Sequence, residues 1–149
     1  MKKKILIVLA NYYKDISDGL LKSALKNIPR SNRVKIIRVP GVFEIPITIS
    51  KNSKKFDAFL ALGCVIKGQT PHFDFISQAS TNAIMDISVS QKKPVGNGII
   101  TCLNMKQAKA RKNKGAEAAN AVFSVLSQKW RPTLLSLIHI SEPTRPDYI

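Results

Sequence analysis

Three short stretches hold most of the residue types that do chemistry: Asn11-Tyr12-Tyr13, Val39-Pro40-Gly41-Val42-Phe43-Glu44, and the run from Cys64 to Asp74. The last contains His72, the only histidine ahead of residue 134. An ordinary imidazole pKa near ~6.5 makes that side chain a natural proton carrier at neutral pH. Beside it stand Gly68, which lets a backbone approach a ligand, the Thr70 hydroxyl and the Lys67 cation. With the exposed amides of a helix start, this combination suits a phosphate. Without those neighbours, a histidine here serves as readily to cap or pack. Glu44 can accept hydrogen bonds from a polyol, or be a first-turn acid favoured by the helix dipole. Tyr12 can stack on a planar heterocycle or cover the sheet edge. The local sequence does not choose between these uses.

The elements that must position these residues follow from the apolar pattern. Strand-like runs at Ile5–Leu9, Val34–Val39, Ala58–Gly63 and Val95–Cys102 alternate with stretches whose apolar residues recur every three or four positions. That alternation predicts an α/β fold with a four-stranded parallel sheet between two helical layers. In such sheets ligands bind outside the carboxyl ends of the strands, where the three stretches fall. Ile16, Leu20, Leu21, Ala24, Leu25 and Ile28 form the stripe of a first helix, with Asp15 placed to cap it and Pro29 to end it. A second helix should start near Phe43 and fade at Lys51–Lys55. A third carries Ile76, Ala79, Ala83, Ile84 and Ile87 on one face. A last one begins after Gly115, with Ala119, Val122, Phe123, Leu126 and Trp130 on one side.

With 149 residues, 44% of them hydrophobic, the chain can build one core and not two. Its apolar runs are strand-sized, far short of the ~20 residues that cross a bilayer. Met1-Lys2-Lys3-Lys4 and the apolar run after it imitate a secretory signal, but the run is short and has no small-residue cleavage site, so a first strand is the better reading. Cys64 and Cys102 have no partner at metal-ligand spacing, which predicts two reduced thiols in a cytoplasmic protein without a metal centre. The net charge of +15 raises the question of a nucleic-acid partner. Against it, 18 of the 24 basic residues are lysines spread in short runs, with few aromatics beside them to stack on bases. From about Leu134 helical periodicity is lost and two prolines appear, as in translated adapter or vector sequence. Residues 1–133 are therefore taken as the domain and 134–149 as a non-native or disordered tail.

Two of the stretches resemble hallmark segments of one enzyme family. Val39-Pro40-Gly41-Val42-Phe43-Glu44-Ile45-Pro46 and Leu62-Gly63-Cys64-Val65-Ile66-Lys67-Gly68-Gln69-Thr70-Pro71-His72-Phe73-Asp74 are similar to those of lumazine synthases. Pro94–Thr101, Gln107-Ala108 with Arg111, and Asn113–Ala119 resemble the same family, so the likeness runs from Ile5 to Leu126.

The resemblance implies a flavodoxin-like three-layer α/β/α sandwich. It implies condensation of 5-amino-6-ribitylaminouracil with 3,4-dihydroxy-2-butanone 4-phosphate, without metal or organic cofactor. In that reading His72 moves protons, and Tyr12 stacks on the pyrimidinedione. Val42, Phe43 and Glu44 line the ribityl site, Ile66 contributes to the pocket around the ring, and Cys64 and Val65 are further substrate-binding residues. Gly68, Gln69 and Thr70 hold the phosphate, and Asn97 and Arg111 come from a neighbouring subunit of a homopentamer. The short segment ahead of the first strand favours a pentamer over larger shells. Asn11 stands where many members have Arg, Asn97 where many have an aromatic, and the segment after Arg111 is shorter than usual. A flavin-binding electron carrier would share the fold, but Asn11-Tyr12-Tyr13-Lys14 is a poor phosphate cradle. A noncatalytic flavin- or lumazine-binding assembly protein is the remaining alternative.

Overall fold

Five consecutive residues of the first strand, Ile5 to Leu9, have no solvent exposure, which requires cover on both faces of the sheet. A computed structural model, which describes residues 2–128, supplies that cover. The elements run β1 (Lys4–Ala10), α1 (Lys14–Lys26), β2 (Arg33–Val39), a 3-10 turn (Val42–Glu44), α2 (Ile45–Lys51), β3 (Ala58–Ile66), α3 (His72–Gln91), β4 (Val95–Cys102), α4 (Met105–Ala110) and α5 (Lys114–Leu126). All strand pairs are parallel, in the order β2-β1-β3-β4. This is the flavodoxin-like winding, whose strand order reverses between β1 and β3.

Side chains alternate across the sheet, so each strand feeds two cores. Ile5, Ile7 and Leu9 join Leu60, Leu62 and Ile100 against α1 and α5. Leu6, Val8 and Ala10 join Phe59, Ala61 and Val65 against Ile45 and Ile49 of α2 and Ile84 of α3. Gly115 lets α5 lie close on α1: a Cβ there would stand 2.0 Å from the Leu20 carbonyl oxygen. Ser17, buried in α1, donates its hydroxyl to the Ala10 carbonyl and ties the helix to the end of β1.

The structure corrects several sequence expectations. β3 runs three residues past Gly63, because Cys64, Val65 and Ile66 pair with Ile100, Thr101 and Cys102 of β4. Gly63 marks tight packing and not a turn: a Cβ there would meet Ala10 and Val42 side chains at 2.9 Å. Tyr13, not Asp15, occupies the N-cap position of α1, without a side-chain capping hydrogen bond, and Asp15 lies in the first turn. Asp18, one turn further along α1, pairs with Arg38 of β2, 3.4 Å away. Leu25, assigned to the buried stripe, is exposed. In α3 Ile84 is buried, whereas Ala79 is exposed and Phe75, Met85 and Val89 face solvent. The last helix starts at Lys114, and its Ala119 and Val122 are buried. α4 had no forecast; Asn104 starts it, its Oδ1 accepting from the Gln107 amide at 2.9 Å. Trp130, the boundary at 133 and the tail at 134–149 lie outside the described residues.

Candidate active site

The carboxyl ends of β1, β2 and β3 converge at the point of strand reversal. After β1 the chain is braced by the Asn11 amide, which donates to the Val39 carbonyl at 2.9 Å. The Arg38 guanidinium donates to Asn11 Oδ1 at 3.1 Å. Tyr12 follows, 76% exposed, its ring edge-on to Tyr13 with centroids 4.8 Å apart. Burial, then the neighbouring Tyr12, pushes the Tyr13 phenol up from its ordinary pKa. After β2 the Gly41 amide donates to Glu44 Oε1 at 2.9 Å, which closes the turn that carries Val42 and Phe43.

These segments surround an open cavity of about 500 Å³. Val42, Cys64, Val65 and Ile66 make an apolar wall, Tyr12 and Phe43 stand at the opening, and His72 and Ile76 approach from the start of α3. A flat heterocycle fits such a wall, with aromatic faces free to stack on it. His72 is exposed, and its backbone amide donates to Thr70 Oγ1 at 3.4 Å. Cys64 is the one wall residue with a nucleophilic atom. Burial first, and then the nearby Cys102 thiol, pushes its pKa up to about 12, so it is a neutral thiol at physiological pH.

Of the residues singled out from sequence, Tyr12, Val42, Phe43, Cys64, Val65, Ile66 and His72 line this one cavity. Gly68, Gln69 and Thr70 do not; they lie exposed in the loop between β3 and α3. Glu44 spends one carboxylate oxygen on Gly41 and borders a separate apolar groove with Pro46, Ile47 and Ala79. Asn97 and Arg111 share a second depression of about 550 Å³ with Thr101, Asn113, Lys114 and Glu117. There Arg111 donates to the Thr101 carbonyl at 3.3 Å, and Asn97 Oδ1 accepts from the Ile99 amide at 3.1 Å. A single chain therefore leaves these two residues apart from the cavity. Gly41, Tyr13 and Ile76 line it without having been assigned to it. Ile76 was hidden because a residue on an apolar helical stripe reads as core. Among the described residues no cluster of three metal-ligating side chains occurs.

The family model described as 6,7-dimethyl-8-ribityllumazine synthase matches residues 2–129. The 6,7-dimethyl-8-ribityllumazine synthase of Methylorubrum populi is 43% identical over 139 residues, spanning 85% of this chain and 82% of that protein. The enzyme of the same name from Bartonella henselae is 42% identical over 140 residues, 87% of this chain and 90% of that protein. 6,7-Dimethyl-8-ribityllumazine synthase 1 of Rhodopseudomonas palustris is 40% identical over 141 residues, 86% of each. With a match that spans every strand and the whole cavity wall, the chain belongs to the 6,7-dimethyl-8-ribityllumazine synthase family.

Proposed function

We propose that this chain condenses 5-amino-6-ribitylaminouracil with 3,4-dihydroxy-2-butanone 4-phosphate to give 6,7-dimethyl-8-ribityllumazine, the step of riboflavin biosynthesis that its family catalyses. The observation that carries the reading is the cavity itself: an apolar wall with two exposed aromatics and a single histidine, at the strand reversal of a flavodoxin-like sheet. The pyrimidine amine attacks the ketone, and loss of water gives an imine. Loss of the proton at C3 then expels phosphate from C4, the enol so formed tautomerises to a ketone at C3, and the ribityl-bearing nitrogen closes the ring on that new carbonyl with loss of a second water.

His72 takes the proton from the attacking amine and returns it to the departing oxygens. Such transfers contribute about 10²- to 10⁴-fold. Tyr12 stacks on the pyrimidinedione, while Val42 and Phe43 border its ribityl chain and Glu44 shapes their turn and accepts from a ribityl hydroxyl. Cys64, Val65 and Ile66 form the wall behind the ring. Gly68, Gln69 and Thr70 take the phosphate at the start of α3. Holding two substrates in register supplies much of the remaining acceleration, since effective molarities of ~10⁵ M are attainable.

The site is completed by assembly. Asn97 and Arg111, set apart in one chain, come from the adjacent subunit of a pentamer, and the exposed Phe75, Met85 and Val89 of α3 give that assembly an apolar surface to bury. The enzyme works in the cytoplasm, and residues 1–133 form the native domain. No helix among the described residues is long and apolar enough to cross a membrane.

The test is lumazine formation from the two substrates, followed by absorbance, with the intact chain and His72→Ala. Formation by the parent and a rate about 10²-fold or more lower in the variant are expected. A correctly assembled oligomer that forms no lumazine would sink the enzymatic reading.

A further inference from the structure

Between Asp86 and Glu117 the sequence holds no acidic residue, and within that span Lys106, Lys109, Arg111, Lys112 and Lys114 fall in nine consecutive positions. The fold places these cations at the carboxyl end of β4, on α4 and in the turn into α5. Lys67 joins them, since its backbone amide donates to the Cys102 carbonyl at 2.8 Å and so starts the β3–α3 loop beside the end of β4. Lys67, Lys106, Lys109 and Arg111 are exposed. The acids toward this end of the sheet are Asp15 in the first turn of α1, Asp18 paired with Arg38, Glu44 holding the Gly41 amide, Asp74 in the first turn of α3 and Glu117, 3.5 Å from Lys114 Nζ; none lies on α4.

We infer that this stripe is an electrostatic funnel for the phosphorylated substrate, with Lys106 and Lys109 raising the local concentration of the dianion without touching it in the bound state. The inference rests on the proposed reaction and deepens it. One substrate carries a phosphate and the other is uncharged, so the funnel acts on one of the two and not on both. Fixed charges of one sign around a cleft raise the local concentration of the opposite ion. Because the effect works through solvent, it weakens as the Debye length shrinks from ~30 Å at 0.01 M salt to ~3 Å at 1 M. Two ammonium groups attracting a dianion through water from within the low-salt Debye length of ~30 Å lower its KM on the order of threefold there. The chemical steps see no change.

The experiment compares the full chain with Lys106→Gln/Lys109→Gln and with a control, Lys54→Gln/Lys55→Gln. Lys54 and Lys55 are exposed and precede β3, at the opposite end of the sheet, so the control removes the same charge in the wrong place. KM for 3,4-dihydroxy-2-butanone 4-phosphate is measured at saturating ribitylaminouracil over a range of salt, and the converse titration is run for the uncharged partner. The funnel predicts a KM for the phosphate about threefold higher in the α4 variant at low salt and converging with the parent at high salt. kcat and the KM for the uncharged partner stay fixed, and the control behaves as the parent. Equal salt dependence in parent and α4 variant, or an equal shift in the control, overturns the funnel while leaving the enzyme in place. A parent that makes no lumazine removes the proposed reaction itself.

Discussion

Whether the site works through a covalent nucleophile can be decided at Cys64. The thiol lines the cavity, yet burial and the Cys102 thiol raise its pKa from the ordinary 9.0 to about 12. At neutral pH that difference lowers the thiolate fraction about 10³-fold, and the thiolate is the species that reacts. Exposure of only 5% slows reagents further. Iodoacetamide labelling near neutrality, quenched over time and read by peptide mass spectrometry, should therefore modify Cys64 at least about 10³-fold more slowly in the native protein than in the chain unfolded by guanidinium. Activity should survive for as long as the unfolded chain takes to label completely. Fast labelling of native Cys64 with parallel loss of activity would refute the reasoning and make a thiolate nucleophile the leading candidate.

The same shift carries a stability consequence whose sign is fixed. The folded chain keeps a proton that the unfolded chain releases above pH 9.0, so the Cys64 contribution is fully present below that pH and is lost as pH rises toward about 12. The slope is at most about 1.4 kcal/mol per pH unit. Denaturant midpoints should fall between pH 9 and pH 11 by less in Cys64→Ser than in the parent.

Two further substitutions test the supports of the site. Gly115→Ala puts a methyl group 2.0 Å from the Leu20 carbonyl and 2.5 Å from Ser23 Oγ. Overpacking of about 1–3 kcal/mol outweighs a helix-propensity gain of at most ~1 kcal/mol, so the midpoint of thermal unfolding should drop by several degrees; a variant as stable as the parent would contradict the close α1–α5 contact. Glu44→Ala frees the Gly41 amide and loosens the turn bearing Val42 and Phe43. It should raise KM for the uracil substrate about tenfold or more, as loss of a charge-assisted hydrogen bond of about 1.5–3 kcal/mol requires, with part of that loss restored in Glu44→Gln, which keeps a neutral acceptor; equal KM values for Ala and parent would deny Glu44 that role.

The strands were legible because a buried parallel sheet writes itself as unbroken apolar runs, as in Ile5–Leu9. The end of β3 was not, since Gly63 carries the signal of a turn while serving to admit Ala10 and Val42. α4 was not legible either: with six residues it is too short to display a helical period. At the site, the motifs named the wall and His72, but no local pattern separates Ile76, which borders the cavity, from Ile84, which fills the core.

α3 shows most clearly what a single chain's pattern can and cannot say. Its apolar residues were assigned to one face, yet Phe75, Met85 and Val89 stand more than 60% exposed on another. Burying one such side chain is worth about 1.5–3 kcal/mol, so three left in water are a surface without its cover. In the proposed pentamer that cover is a neighbouring subunit, and the same association would bring the depression with Asn97 and Arg111 to a cavity that lacks them. An apolar pattern records burial in the working assembly, whereas the described structure records burial in one chain. The residues on which the two disagree are therefore the ones where the partner should be sought.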